Sequence, residues 1–136
     1  MTLSYIEPKK LMCGSDPLPW QCLSRYPEAS KRALFIDIDY KDLILKKRAM
    51  IKATSQLNSY FTNVVETDSE VLFKSDQYVQ LGCDLRNLKL LEDTLKTVID
   101  FENTKVIFVA EVSITYMEKK TADDLIKWAS ALPDGQ

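Results

Sequence analysis

Residues 34–39, LFIDID, constrain the fold more than any other stretch of the sequence. Their apolar side chains follow one another almost without a break, which is typical of a strand in a sheet that is covered on both faces. Two acids, Asp37 and Asp39, interrupt the run towards its end. The segment therefore predicts a buried strand that carries carboxylates to its tip.

Segments of strand character alternate with helical ones along the whole chain, and this alternation is typical of a parallel α/β sheet. The strand segments are residues 10–13, 34–39, 78–82 and 106–110. Helices are predicted at 21–30, from Lys41 onwards, after Asn87 as a cap, and around Thr121 and Asp124, which form a capping-box pattern. The pattern predicts a mostly parallel sheet with flanking helices.

Two further stretches carry weaker signals. Lys46, Lys47 and Arg48 form a basic cluster on the helix after Lys41, and we expect it to be a solvated face. Residues 54–77 show no clean period. A stretch of this length inside a compact domain is usually a functional loop or disordered.

Composition excludes several classes of function. The chain of 136 residues is 46% hydrophobic and 28% charged, which suits a single globular domain over residues 1–136. A net charge of −2 gives no field that would itself recruit nucleic acid. Three scattered cysteines without any histidine predict no metal site and a reducing, cytoplasmic location. No run is long and apolar enough to predict a membrane span or a signal peptide.

Acids follow three of the predicted strands: Asp39, Asp84 and Glu111. In an open parallel sheet the ligand crevice lies beyond the carboxyl ends of the strands, so these side chains are expected at one site. A single acid in this position is more often a helix cap or a turn former. Three in successive strands favour a ligand site, with Asp39 as a carboxylate for the vicinal hydroxyls of a ribose.

Phosphate-binding motifs are missing from the sequence. It contains neither GxGxxG for a pyrophosphate nor GxxxxGK[ST] for a triphosphate. A nucleoside without phosphates remains, and S-adenosyl-L-methionine is the common cofactor of that kind.

Four motifs carry a resemblance: CGSDPLPWQCLSRYP, FIDIDYKDLILKKR, YVQLGCDLRN and VAEVSITYMEKKTADDLIKWA. In this order they resemble the leucine carboxyl methyltransferase family. That resemblance implies a Rossmann-like class I methyltransferase fold, S-adenosyl-L-methionine as cofactor and an enzyme that methylates carboxylates.

Within the family, DPLPWQ, GCDLRN and AEVSITYM are more similar to the branch that works in tRNA wybutosine biosynthesis. This similarity implies carboxyl methylation and methoxycarbonylation of the wybutosine side chain in phenylalanine tRNA. Two alternatives stay open. One is methylation of the C-terminal carboxylate of a protein phosphatase, and the other is a non-catalytic remnant of the fold that acts as a binding module.

The resemblance also assigns residues to the cofactor. It makes Asp39 the ribose ligand, Asp84 and Leu85 the residues at the adenine end, and Glu111 a further contact. Gly14 belongs to a turn near the methionine part, where a side chain would obstruct approach. No catalytic residue is predicted, and we expect Asp37 to point to the opposite face from Asp39.

Some features depart from the family pattern. Met12 stands where a glycine is expected in the first motif, and its side chain is expected to crowd the cofactor or to deform the turn. Segments that the family has at both ends are missing. The chain is therefore predicted to be a single incomplete methyltransferase domain, inactive alone, in which the strand at 106–110 lies at an exposed edge.

Overall fold

A six-stranded sheet forms the centre of the computed structural model, which describes residues 7–13, 17–110 and 113–132. The strand order across the sheet is β3-β4-β5-β2-β1-β6. The strands are β1 (Glu7–Cys13), β2 (Phe35–Asp39), β3 (Val65–Glu66), β4 (Val71–Lys74), β5 (Tyr78–Gly82) and β6 (Thr104–Ala110). The pairs β5–β2, β2–β1 and β1–β6 are parallel, whereas β3–β4 and β4–β5 are antiparallel.

Helices connect and cover these strands. They are α1 (Leu18–Arg25), α2 (Pro27–Ser30), α3 (Lys41–Ala53), α4 (Ser55–Asn58), α5 (Leu88–Lys96) and α6 (Lys119–Ala131), with a short 3₁₀ helix at Ser113–Tyr116. The predicted α/β fold with a sheet and flanking helices is confirmed, and all four predicted strands are present.

The ends of α5 and α6 test the predicted caps. Asn87 caps α5, because its side-chain oxygen accepts the N–H of Leu90 at 3.2 Å. The capping box predicted for α6 is wrong, since that helix begins at Lys119 and Thr121 lies inside its first turn. Its N-cap, Glu118, makes no side-chain cap hydrogen bond. Ion pairs from Lys119 to Asp123 and from Lys120 to Asp124 stabilise the first turns instead.

Residues 54–77 contain regular secondary structure, so the prediction of a functional loop or a disordered stretch there was wrong. They contain α4 and the β3–β4 hairpin, and Leu72 and Phe73 of β4 are fully buried. Arg48 donates from Nη1 to the carbonyl oxygens of Thr67 at 2.9 Å and Leu72 at 3.0 Å. Contacts made by α3 therefore hold the hairpin, which extends the parallel sheet by two antiparallel strands.

The two faces of the sheet have different cores. On the side of α5 and α6, called here the α5 side, the core is Ile36, Ile38, Val79, Leu81, Cys83, Leu91, Leu95, Ile99, Phe101 and Leu125. On the side of α1 and α3, called the α3 side, it is Trp20, Leu23, Phe35, Ile51, Phe61, Phe73 and Tyr78. The strand β2 contributes to both cores, as its continuous apolar run predicted.

Within the described ranges, β6 pairs with β1 and with no other strand. No helix in that part of the chain is long and apolar enough to cross a membrane. The same residues contain no group of three or more histidine, cysteine or acidic side chains that could hold a metal ion.

Candidate functional site

The carboxyl ends of the four parallel strands lie in register at one edge of the sheet. Cys13, the last residue of β1, pairs with Ile38 of β2 and with Ala110, the last residue of β6. Asp39, the last residue of β2, pairs with Gly82, the last residue of β5. Loops that follow these four strands therefore all leave from the same edge.

Two of the predicted ligands, Gly14 and Glu111, lie outside the described residues. Each follows directly in the chain after the last residue of a described strand, β1 or β6. Their predicted roles stay predictions. Met12 lies within β1, and the pairing with β2 and β6 runs through it to Cys13 without a shift in register.

Asp39 offers a carboxylate oxygen at the tip of β2. Its side chain is half-buried, and Oδ1 accepts the backbone N–H of Tyr40 at 2.8 Å. Its backbone carbonyl accepts the N–H of Cys83 at 2.9 Å, which fixes the main chain between β2 and the end of β5. Among the described residues Oδ2 has no hydrogen-bond partner. One carboxylate oxygen therefore already accepts a main-chain hydrogen bond, and the other can accept hydrogen bonds from a ligand.

Asp84, the second predicted ligand, is bound to Arg86. The guanidinium donates from Nη2 to Oδ2 at 2.6 Å and from Nε to Oδ1 at 3.0 Å, and the backbone N–H of Arg86 donates to Oδ1 at 2.9 Å. These side-chain and backbone hydrogen bonds lower the pKa of Asp84. Leu85 between them is half-buried against the α5-side core. The structure therefore places Asp84 near the edge as one half of an ion pair.

Tyr40 and Arg86 are exposed at this edge and were missed from the sequence. Tyr40 is 56% exposed and stands directly after Asp39. The hydrogen bonds and the charge of Asp84 raise the pKa of Arg86, with smaller contributions in the same direction from Tyr40 and Glu118. The position of Tyr40, immediately after the predicted ribose ligand, was the available signal.

A buried polar network lies beneath Asp39 on the α3 side. Lys47 donates from Nζ to Oδ2 of Asp37, and Tyr78 donates its phenolic hydrogen to the same oxygen at 2.9 Å. The side chains of Lys47 and Asp37 are 6% and 1% exposed. The Lys47 ammonium also lies 5.3 Å from the centre of the Trp20 ring. The prediction that Lys47 belongs to a solvated face was therefore wrong.

Burial dominates the acid–base properties of this network. It raises the pKa of Asp37, and the charge and hydrogen bond of Lys47 oppose that shift. It also raises the pKa of Tyr78 well above its usual value, and the neighbouring charge of Asp37 adds to this effect. Asp37 Oδ1 and Gln80 Oε1 are buried without a hydrogen-bond partner among the described residues. These two residues pair in register on neighbouring strands.

Asp37 and Asp39 leave β2 on the same face, so the expectation that Asp37 points to the opposite face was wrong. Side chains alternate along a strand, and residues two positions apart therefore share a face. Asp37 contacts Lys47 and Tyr78 on the α3 side, and the charge of Asp39 contributes to the raised pKa of Asp37. The two carboxylates differ in depth, with Asp37 in the core and Asp39 at the edge.

Known proteins resemble the chain over most of its length. Residues 10–130 match the leucine carboxyl methyltransferase family. The chain is 46% identical over 125 residues to a tRNA wybutosine-synthesizing protein 4 from Gibberella zeae, 40% identical over 124 residues to one from Aspergillus fumigatus, and 39% identical over 129 residues to one from Candida glabrata.

These matches cover 88%, 90% and 91% of this chain but only 12%, 12% and 19% of the three relatives. The chain thus corresponds to a small part of each longer protein. The family match includes all six strands except the first residues of β1, and it includes Asp39 and Asp84. The chain belongs to the leucine carboxyl methyltransferase family.

Proposed function

We propose that this chain forms the S-adenosylmethionine-binding part of a carboxyl methyltransferase that acts in tRNA wybutosine biosynthesis. The observation that carries the proposal is the position of the Asp39 carboxylate at the carboxyl edge of the parallel strands. Its Oδ2 has no hydrogen-bond partner among the described residues. Family membership and the names of the matched relatives support the reaction and the tRNA substrate.

The strand order agrees with a Rossmann-like methyltransferase fold. From β1 the chain proceeds outwards through β2 to β5, and then returns to place β6 on the other side of β1. Ligands of open α/β sheets bind beyond the carboxyl ends of the strands, at the point where the strand order reverses. That point lies between β1 and β6, the strands that directly precede Gly14 and Glu111 in the chain.

The donor and acceptor groups of Asp39 suit the proposed cofactor. The vicinal hydroxyls of a ribose can both donate hydrogen bonds, and Asp39 Oδ2 is an acceptor that has no partner in the part of the chain that the structure describes. Asp84, Leu85, Gly14 and Glu111 are proposed as further contacts, with Asp84 held in place by Arg86. When bound, S-adenosylmethionine would supply the methyl group. The residues of this chain bind and orient it, and none is assigned as a general base because a carboxylate acceptor is already nucleophilic.

The names of the relatives favour phenylalanine tRNA over the C-terminal carboxylate of a protein phosphatase. The test is transfer of a labelled methyl group to precursor tRNA and to a peptide with a C-terminal leucine, measured with the chain and with a full-length relative. Transfer to the peptide alone would overturn the tRNA assignment. Inactivity of the chain alone and a cytoplasmic location remain predictions.

Binding of the cofactor is tested by calorimetric titration of the chain with S-adenosylmethionine. Asp39→Asn removes a charge and an acceptor while it keeps the shape, so we expect the binding free energy to weaken by about 1 to 3 kcal/mol. Asp42→Asn is the matched control, because Asp42 is an exposed acid in the first turn of α3. Equal affinities of the two variants would contradict the assignment of Asp39.

A further inference from the structure

The ion pair between Asp37 and Lys47 joins β2 to α3 beneath the proposed ribose ligand. Lys47 donates to Asp37 Oδ2, Tyr78 donates to the same oxygen, and both members of the pair are almost fully buried. Asp37 lies two residues before Asp39 on the same face of the same strand. The pair therefore lies on the α3 side of β2, two residues before Asp39 along the strand.

The helix that carries Lys47 begins at Lys41, and only its N-cap, Tyr40, separates it from Asp39. Tyr40 is the N-cap of α3, and its backbone N–H donates to Asp39 Oδ1 at 2.8 Å. The start of α3 also lies close to β5, because a Cβ placed on Gly82 would be 3.0 Å from the Cα of Lys41. Rotation of α3 about its axis would move the Tyr40 N–H and, with it, the carboxylate that accepts its hydrogen bond.

Lys47 stands seven residues after Tyr40, which is about two helical turns. The chain connection at Asp39 and the ion pair at Asp37 thus hold the first two turns of α3 at two points on β2. Buried Ile44 and Ile51 and the hydrogen bonds of Arg48 to the β3–β4 hairpin also restrain α3, and the ion pair adds the polar contact that ties it to β2 itself. A buried ion pair adds little net stability compared with two apolar side chains of similar volume, so the geometry that it imposes is the better explanation for it.

We propose that Asp37 and Lys47 are positioning residues, whose buried ion pair fixes α3 on β2 and so orients the Asp39 carboxylate for a ribose. The inference rests on the proposed function for its ligand. It extends that function by naming two residues that do not touch the cofactor and yet set its affinity.

The first test needs no ligand. It records the backbone amide resonance of Tyr40 by NMR in the unsubstituted chain and in Asp39→Asn, Lys47→Met and Asp37→Asn/Lys47→Met variants. The double variant removes both charges, so no unpaired carboxylate remains in the core. We expect the Tyr40 resonance to move in both Lys47 variants in the direction seen in Asp39→Asn, while the Leu90 amide, which donates to Asn87, stays unchanged.

Lys46→Met is the matched control, because Lys46 is the neighbouring exposed lysine of α3. It should leave the Tyr40 resonance in place. An unmoved Tyr40 resonance in the double variant would overturn the proposal. Loss of the folded state in both Lys47 variants would also overturn it, because the pair would then be a stabilising element rather than a positioning one.

The second test measures the affinities for S-adenosylhomocysteine and for its 2′-deoxyribose analogue. If Asp39 binds the ribose, the unsubstituted chain should prefer the natural ligand roughly tenfold. We expect the double variant to reduce this preference to about twofold or less, as Asp39→Asn does. If the pair had a purely structural role, the double variant would bind both ligands more weakly by the same factor and keep the preference. That result would overturn the proposal. If the unsubstituted chain binds neither ligand, the proposed function fails, while the Tyr40 resonance still decides the positioning role.

Discussion

Both faces of the central sheet carry a buried core, but the two cores differ in their chemistry. On the α5 side, β2 and β5 contribute Ile36, Ile38, Val79 and Leu81 to a core that they share with Leu91 and Leu95 of α5. On the α3 side, the same two strands bury Asp37, Tyr78 and Gln80. Asp37 accepts hydrogen bonds from the ammonium of Lys47 and from Tyr78, and Gln80 donates to the Tyr78 hydroxyl. The helix α5 is thus held by apolar packing that tolerates small changes, whereas α3 is held by packing together with a charge that requires its partner.

The difference predicts how each face responds to substitution. Loss of a methyl group from an apolar core costs free energy in proportion to the volume removed. Loss of one partner of a buried ion pair leaves a charge without solvent or counter-ion, which costs much more. We therefore expect large, partner-dependent effects on the α3 side and small, graded effects on the α5 side.

The largest effect is expected for Lys47→Met. This change leaves the Asp37 carboxylate buried and unpaired, so the free energy of unfolding should fall by about 3 to 5 kcal/mol. Urea denaturation followed by circular dichroism measures it, with Lys46→Met as the exposed control on the same helix. Losses of similar size in the two variants would remove the contrast between the faces.

Gly82→Ala tests the close contact between α3 and the end of β5. An added Cβ would lie 2.7 Å from Leu72 Cδ1 and 3.0 Å from Lys41 Cα. Because both contacts are shorter than van der Waals distance, we expect a loss of roughly 1 to 3 kcal/mol in stability. Repeating the change in a Leu72→Ala background shows whether the side chain or the helix backbone limits the space. A loss below about 0.5 kcal/mol would show that α3 moves freely here.

The raised pKa of Tyr78, on the α3 side, predicts that the stability of the folded state decreases at alkaline pH. Burial, and then the charge of Asp37, raises the pKa of Tyr78 in the folded state above its ordinary value of 10.0. Above pH 10.0 the unfolded chain therefore releases this proton while the folded chain retains it. The folded state is the one that binds more protons, so stability should fall as pH rises, by about 1.4 kcal/mol per pH unit for this group.

Tyr78→Phe should flatten this decline, whereas Tyr26→Phe, at a ring that is 63% exposed, should leave it as it is. Urea denaturation at several pH values between about 9 and 11, around the ordinary pKa of tyrosine, measures how steeply the free energy of unfolding falls with pH. The same slope in Tyr78→Phe and in the unsubstituted chain would contradict the assignment of the linked proton to Tyr78.

The smallest effect is expected on the α5 side, at the N-terminus of α5. Asn87→Ala removes the acceptor for the Leu90 N–H, which should cost about 1 kcal/mol of stability. Asn87→Asp keeps an acceptor oxygen and serves as the control, with little change expected. A loss in Asn87→Ala as large as that in Lys47→Met would show that the α5 side is no more tolerant than the α3 side.

Local sequence signals predicted the elements whose stability is local or uniformly apolar. The apolar run of β2, the strand at Tyr78–Gly82 and the Asn87 cap were all visible, because each depends on residue types at fixed short spacings. Asp39 was predicted at a strand tip for the same reason, and the register of β2 with β5 places it at the carboxyl edge.

Signals that depend on distant partners were missed. The β3–β4 hairpin has little periodicity, and its strands are held by antiparallel pairing with β5 and by hydrogen bonds from Arg48 of α3. These interactions join segments whose proximity is decided by the folded chain.

The sequence by itself determined that the chain is an α/β protein with acids at its strand ends, because strand runs, helix spacing and caps are properties of neighbouring residues. Only the tertiary structure decided which charged residues are buried. A lysine on an amphipathic helix is normally solvated, and its charge can enter a core only where a carboxylate from another element meets it. Lys47 pairs with Asp37 because α3 folds back along β2. A residue of the predicted solvated face is therefore buried on the α3 side.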